Sequence, residues 1–128
     1  MDAMDKPDIS LSSPMDGDTL IFAADLFAAL AHPTRLRMVE FLTGGEQTVG
    51  DIAQHLRILQ PNASQHLAIL QRAGVIKVTP RGAQRHYSLR GPRIARILML
   101  VNEFRAVHAH KLMEERLIAN TPEATRKL

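Results

Sequence analysis

The sequence predicts a mainly α-helical chain with one small β-hairpin. Apolar residues recur at helical spacing in five separate stretches. Two further short stretches, either side of Pro80-Arg81-Gly82-Ala83, are instead rich in Val, Ile, Thr and Tyr, the residues that suit strands. Gly or Pro punctuates the boundaries, at His32-Pro33, Gly44-Gly45, Gln60-Pro61, Gly74 and Gly91-Pro92. Two helices on a brief link, the second polar-faced and followed at once by a hairpin, make a winged helix-turn-helix. The expectation is therefore five helices plus a two-stranded wing, assembled as a homodimer.

Met1 to Gly17, with Pro7, Pro14, three serines and four aspartates, has little periodicity and is expected to be a disordered arm. The folded domain then runs from residue 18 to 119. Asp18 or Thr19 is placed to cap a first helix reaching about Ala31, with Leu20, Ala23, Ala24, Phe27 and Leu30 on one face. The His32-Pro33 step breaks it and starts a second helix, Thr34 to Thr43, with Leu36, Val39 and Leu42 expected inward. His32 reads as a boundary residue and not as a ligand. Thr48, with Asp51 three residues on, resembles a capping box opening Val49–Leu56. After the link Arg57-Ile58-Leu59, a further helix runs from Gln60 to Ala73. Pro61 suits its first turn, Leu67, Ile69 and Leu70 form its apolar stripe, and Gly74 ends it.

Val75 to Thr79 and Gln84 to Leu89 are the expected wing strands, so the wing as a whole spans Val75–Leu89. Gly91-Pro92 leads into a last helix from Arg93 to about Ala119. Ile94, Ile97, Leu98, Val101, Phe104 and Leu112 recur along it, and roughly 26 residues make it about 39 Å long. That exceeds what a small domain needs for its own core. The spare apolar length, with Met99 and Leu100 off the main stripe, calls for a second copy, and Leu20 and Phe27 of the first helix would join the same seam. Residues 120–128 read as a frayed polar tail.

Charge segregation is the strongest functional signal in the composition. The 128 residues carry a net charge of only +3, but no Asp or Glu occurs between Ile52 and Asn102. Eight basic residues do: Arg57, Arg72, Lys77, Arg81, Arg85, Arg90, Arg93 and Arg96. A solvated face mixes signs, whereas a single-sign block over a helix-turn-helix and wing is the footprint of a phosphate backbone. Within that block Gln60, Asn62, Ser64, Gln65 and His66 present amides, a hydroxyl and an imidazole, which donate to and accept from base edges and phosphates. With Thr48 at the start of the preceding helix, and Arg81 and Arg85 on the wing, they are the candidate DNA contacts. His55 and His86 read as DNA-facing or structural.

Other classes find less support. One domain with 45% hydrophobic residues and only 4% aromatics must fill its core with aliphatic side chains. No apolar run is long enough to span a bilayer and no secretory signal opens the chain, so a cytoplasmic location is expected. Cysteine is absent, which removes disulfides and thiol chemistry. There is no Gly-rich phosphate loop, no HExxH motif and no promising carboxylate pair, so no enzyme is expected. No cofactor is expected either. His108, His110 and Glu114 are the only metal candidates, with the His110–Glu114 pair on one helical face.

Four words of the sequence, LFAALAHPTRLRMVEFL (Leu26–Leu42), TVGDIAQHL (Thr48–Leu56), QPNASQHLAILQRAGVI (Gln60–Ile76) and GAQRHYSL (Gly82–Leu89), together resemble the ArsR/SmtB repressors. The resemblance covers roughly Asp18 to Glu115. It implies a winged-helix homodimer that represses transcription and releases DNA on meeting an inducer. Pro33, Arg35 and Leu36 match a structural signature of that family. The positions where thiol-using members place cysteines hold Thr48 and Gly50, unfit for soft metals. Those where zinc- and cobalt-sensing members place ligands hold Gly91, Arg93, Phe104 and Val107. Leu59 stands where Ser or Thr is frequent, which leaves Gln60 as the expected cap of its helix. The inducer is thus unknown, and the alternatives are a winged-helix protein-interaction module or a regulator sensing metal through His108, His110 and Glu114.

Overall fold

A computed structural model describes residues 13–121. Most of the expected arm and most of the expected tail therefore lie outside the described residues. Within them the order is α1 (Gly17–Leu30), α2 (Pro33–Leu42), β1 (Gln47–Thr48), α3 (Val49–Leu56), α4 (Gln60–Arg72), β2 (Ile76–Arg81), β3 (Gln84–Leu89) and α5 (Arg93–Asn120). The helices fall where the periodicity placed them, and several boundaries differ for identifiable reasons.

The first helix starts two or three residues early, because Asp16 and not Asp18 or Thr19 is its cap: its Oδ1 accepts from the Thr19 backbone N–H at 2.7 Å. That same bond, with burial opposing it weakly, holds the Asp16 carboxyl below its ordinary value. His32 caps α2 through Nδ1, which accepts from the Thr34 N–H, and Pro33 then occupies the first turn. In α2 the buried residues are Met38, Val39 and Leu42, while Leu36 is exposed. The stripe continues back one turn to Arg35, whose guanidinium turns onto the last carbonyls of α1, Ala28 O and Ala29 O, and Leu36 is left on the flank.

Thr48 caps α3 as expected, its Oγ1 accepting from Asp51 N–H at 3.1 Å. Both α3 and α4 end in the same hydrogen-bonded device. Arg57 and Gly74 take positive φ, Ile58 N–H reaches Ala53 O, and Val75 N–H reaches Leu70 O. Val75 and Leu70 are both fully buried at that corner, so the strand leaves α4 at a fixed angle. At the other end of α4 the cap is Leu59, with no side-chain bond, and not Gln60.

The sheet has a third strand that periodicity could not reveal. Two-residue β1 pairs antiparallel with β3, Gln47 opposite Tyr87 and Thr48 opposite His86, giving the order β1-β3-β2. The hairpin turn is also tighter than expected. Pro80 and Arg81 belong to β2, Arg81 pairs with Gln84, and only Gly82-Ala83 turn the chain, with Gly82 at φ +62°. Leu30, Met38, Val39, Leu42, Ile52, Ala63, Leu67, Leu70, Val75, Ile76 and Tyr87 form one core shared by α1 to α4 and the sheet. Ile94 and Leu98 of α5 pack against it. No residue of α5 is buried, and Met99, Leu100, Val101, Phe104, Val107, Met113, Leu117 and Ile118 are all exposed on the single chain.

Candidate nucleic-acid interface

Helix α4 buries Ala63, Leu67 and Leu70, and this fixes what its remaining faces present. At about 100° per residue, Gln65 lies nearly opposite both Ala63 and Leu67, so it points away from the core. Gln60 and Ser64, one turn apart, share one flank; Asn62 and His66, also one turn apart, share the other. Gln60, Asn62, Ser64 and Gln65 are exposed, whereas His66 is half-buried.

The flank carrying Gln60 and Ser64 meets the wing. Thr48, Gly50, Gln60, Ser64, Gln84, Arg85 and Tyr87 line one open depression of about 460 Å³ between the starts of α3 and α4 and the hairpin tip. Four of the expected contacts, Thr48, Gln60, Ser64 and Arg85, therefore converge there. Donors, acceptors and a guanidinium around a concave seat beside two helix N-termini suit a phosphate-bearing backbone.

The opposite flank is engaged within the chain. Arg35 Nη1 lies 3.3 Å from His66 Nδ1, and the His66 ring centroid lies 4.6 Å from that of His32. A guanidinium can only donate, so Nδ1 accepts and the neutral ring carries its proton on Nε2. Burial first, then the nearby His32 and Arg35, push the His66 pKa below its ordinary value. His66 thus ties α4 to the α1–α2 corner, a setting that its place in the polar run did not reveal.

The two wing arginines diverge as well. Side chains alternate along strands and paired residues share a face. The register puts Arg85 with Pro80, Val78 and Tyr87 on the core-side face, toward α4. Arg81 falls on the outer face with Gln84, Thr79, His86 and Thr48. There its Nη2 donates to Glu46 Oε1 at 3.0 Å, and Glu46 Oε2 stands 3.8 Å from His86 Nδ1. Glu46 was outside the acid-free stretch in sequence, yet β1 pairing folds it onto the wing. Sequence reasoning missed it because the strand that delivers it is two residues long.

Of the residues expected at the dimer seam, Leu20, Phe27, Val101 and Phe104 are exposed, Ile97 is half-buried, and Ile94 and Leu98 rest on the chain's own core. His110 Nδ1 lies 3.4 Å from Glu114 Oε1, both side chains being well exposed, and His108 sits against the Phe104 ring. Among the described residues no three His, Cys, Asp or Glu side chains are grouped as a metal would need. No described helix is long and apolar enough to cross a membrane.

Known proteins carry the same pattern. Residues 32–78 match the profile of the family described as bacterial regulatory protein, arsR family. The chain is 37% identical over 89 residues to the "Probable mercury resistance operon repressor" of Streptomyces lividans, covering 70% of this chain and 71% of that protein. It is 43% identical over 65 residues to the transcriptional repressor SdpR of Bacillus subtilis, covering 51% and 72%. Among solved structures, a homodimeric winged helix-turn-helix DNA-binding domain from Mycobacterium bovis superposes with a TM-score of 0.68 at 27% identity, over 78% of this chain and 93% of that one. The crystal structure of Rv0081 from Mycobacterium tuberculosis gives 0.65 at 29%, over 80% and 99%. With the helix-turn-helix, the wing and these matches in agreement, the chain belongs to the arsR family of winged helix-turn-helix transcription regulators.

Proposed function

We propose that the chain is a homodimeric, sequence-specific DNA-binding repressor that sets α4 into the major groove and the wing along the adjoining backbone. The observation that carries this reading is the convergence of Thr48, Gln60, Ser64 and Arg85 on one open depression, beside an outward Gln65. Base edges are read by groups of this kind, and phosphates fix the register. Self-association would cover the apolar residues that α1 and α5 leave exposed, Leu20, Phe27, Val101 and Phe104 among them. A two-fold dimer would present its two α4 helices to half-sites roughly 34–36 Å apart.

Measured against salt, duplex affinity decides the matter. Each phosphate neutralised contributes about −0.9 to the slope of log affinity on log salt. A slope of several units, with tighter binding to a selected palindrome than to random sequence, is the expected result. No duplex binding at low salt would return the chain to the protein-interaction reading.

A further inference from the structure

The outer face of the wing carries Arg81, His86 and Lys77, and among the described residues Glu46 is the acid that answers them. Glu46 lies two residues before Thr48, on the same side of the sheet. Its carboxylate takes the Arg81 hydrogen bond with one oxygen and faces the His86 ring with the other. The side chains of Arg81 and Glu46 keep 55% and 36% of their surface, so a phosphate can reach the guanidinium from outside. Arg81, above all, with His86 and Lys77 adding, holds the Glu46 carboxyl below its ordinary value, so it is ionised at neutral pH. A guanidinium recognises a carboxylate and a phosphate by the same fork of N–H donors.

We propose that Glu46 occupies Arg81 in the free protein in the place a DNA phosphate takes in the complex. Arg81 must leave the carboxylate to reach the backbone, and the abandoned carboxylate then stands beside a polyanion. Both effects weaken the wing's contribution equally on every sequence. Glu46 therefore lowers binding to random DNA without altering what α4 reads. This rests on the DNA-binding reading above.

The test uses the full chain, a labelled duplex of random sequence and fluorescence anisotropy over a series of salt concentrations. Glu46→Gln keeps the shape of the side chain and removes its charge. It is expected to tighten random-duplex binding about two- to five-fold, the range of an exposed ion pair, and to steepen the salt slope by up to about one. In an Arg81→Ala background the same substitution is expected to give a clearly smaller gain, since there is no guanidinium left to release and only the repulsion between the carboxylate and the backbone is removed. Equal gains in both backgrounds would reduce Glu46 to simple repulsion and overturn the hold on Arg81. So would unchanged binding by Glu46→Gln in the otherwise native chain. Failure of the native chain to bind any duplex would overturn the DNA-binding reading and this inference with it, and that outcome is distinguishable from binding that ignores Glu46.

Discussion

Replacing Phe104 by Ala is expected to loosen self-association far more than it disturbs the fold. Phe104 sits midway along α5 and is 60% exposed on the single chain. A phenylalanine commits about 150–250 Å² on burial, which leaves roughly 100–150 Å² for a partner to cover. At about 25 cal/mol per Å² that is roughly 2.5–4 kcal/mol per copy, and a two-fold seam counts each residue twice. Ordering costs and imperfect fit take back much of such area-based sums. A net loss of about 2–4 kcal/mol per dimer is expected, roughly 30- to 700-fold in the dimer dissociation constant. Sedimentation equilibrium on native and variant chains measures it, with helical circular dichroism showing that the fold is retained. A shift below about tenfold, or a native chain that is monomeric throughout, would refute the assignment of α5 to the seam.

Stability should fall as pH drops below about 6.5, the ordinary histidine value, because unfolded His66 takes up a proton that the folded ring, its pKa lowered, resists. Denaturant titrations at stepped pH should show His66→Gln flattening that loss; identical slopes for both chains would remove His66 from the effect. Gly74 holds φ +77° at the corner from α4 into β2, so Gly74→Ala is expected to cost about 1–2 kcal/mol in the same titrations; an unchanged midpoint would mean the corner relaxes freely. Arsenite, cadmium and cobalt are expected to leave the protein–DNA complex intact, since Thr48, Gly50, Gly91, Arg93, Phe104 and Val107 supply no ligand set. Titrating each ion into the complex checks this. Zinc is the exception to test with His110→Ala, and release by zinc that survives the substitution would dismiss the His108, His110 and Glu114 group.

What was legible in the sequence was what repeats. The apolar stripe of α4, its Gly74 stop and the alternation of β2 and β3 all rest on periodicity or on a backbone demand that one residue type meets best. What escaped was set by pairing between distant segments. β1 is too short to alternate, so neither it nor the Glu46–Arg81 contact could be read from a window of residues. The same holds for His66, whose polar neighbours in sequence suggest solvent while Arg35, 31 residues away, claims its ring. Leu36 misled for a local reason: Arg35 took the inward place to reach the carbonyls of α1.

The central claim is that the outer face of α4 reads bases, and Gln65 tests it most directly because its side chain points away from Ala63 and Leu67. A high-affinity duplex is first selected from a random pool with the native chain, and Gln65→Ala is then compared with the native chain on that duplex and on a scrambled one. A loss of about 1–3 kcal/mol on the selected duplex, with little change on the scrambled one, is the predicted result. Equal losses on both duplexes, or none on either, would contradict it.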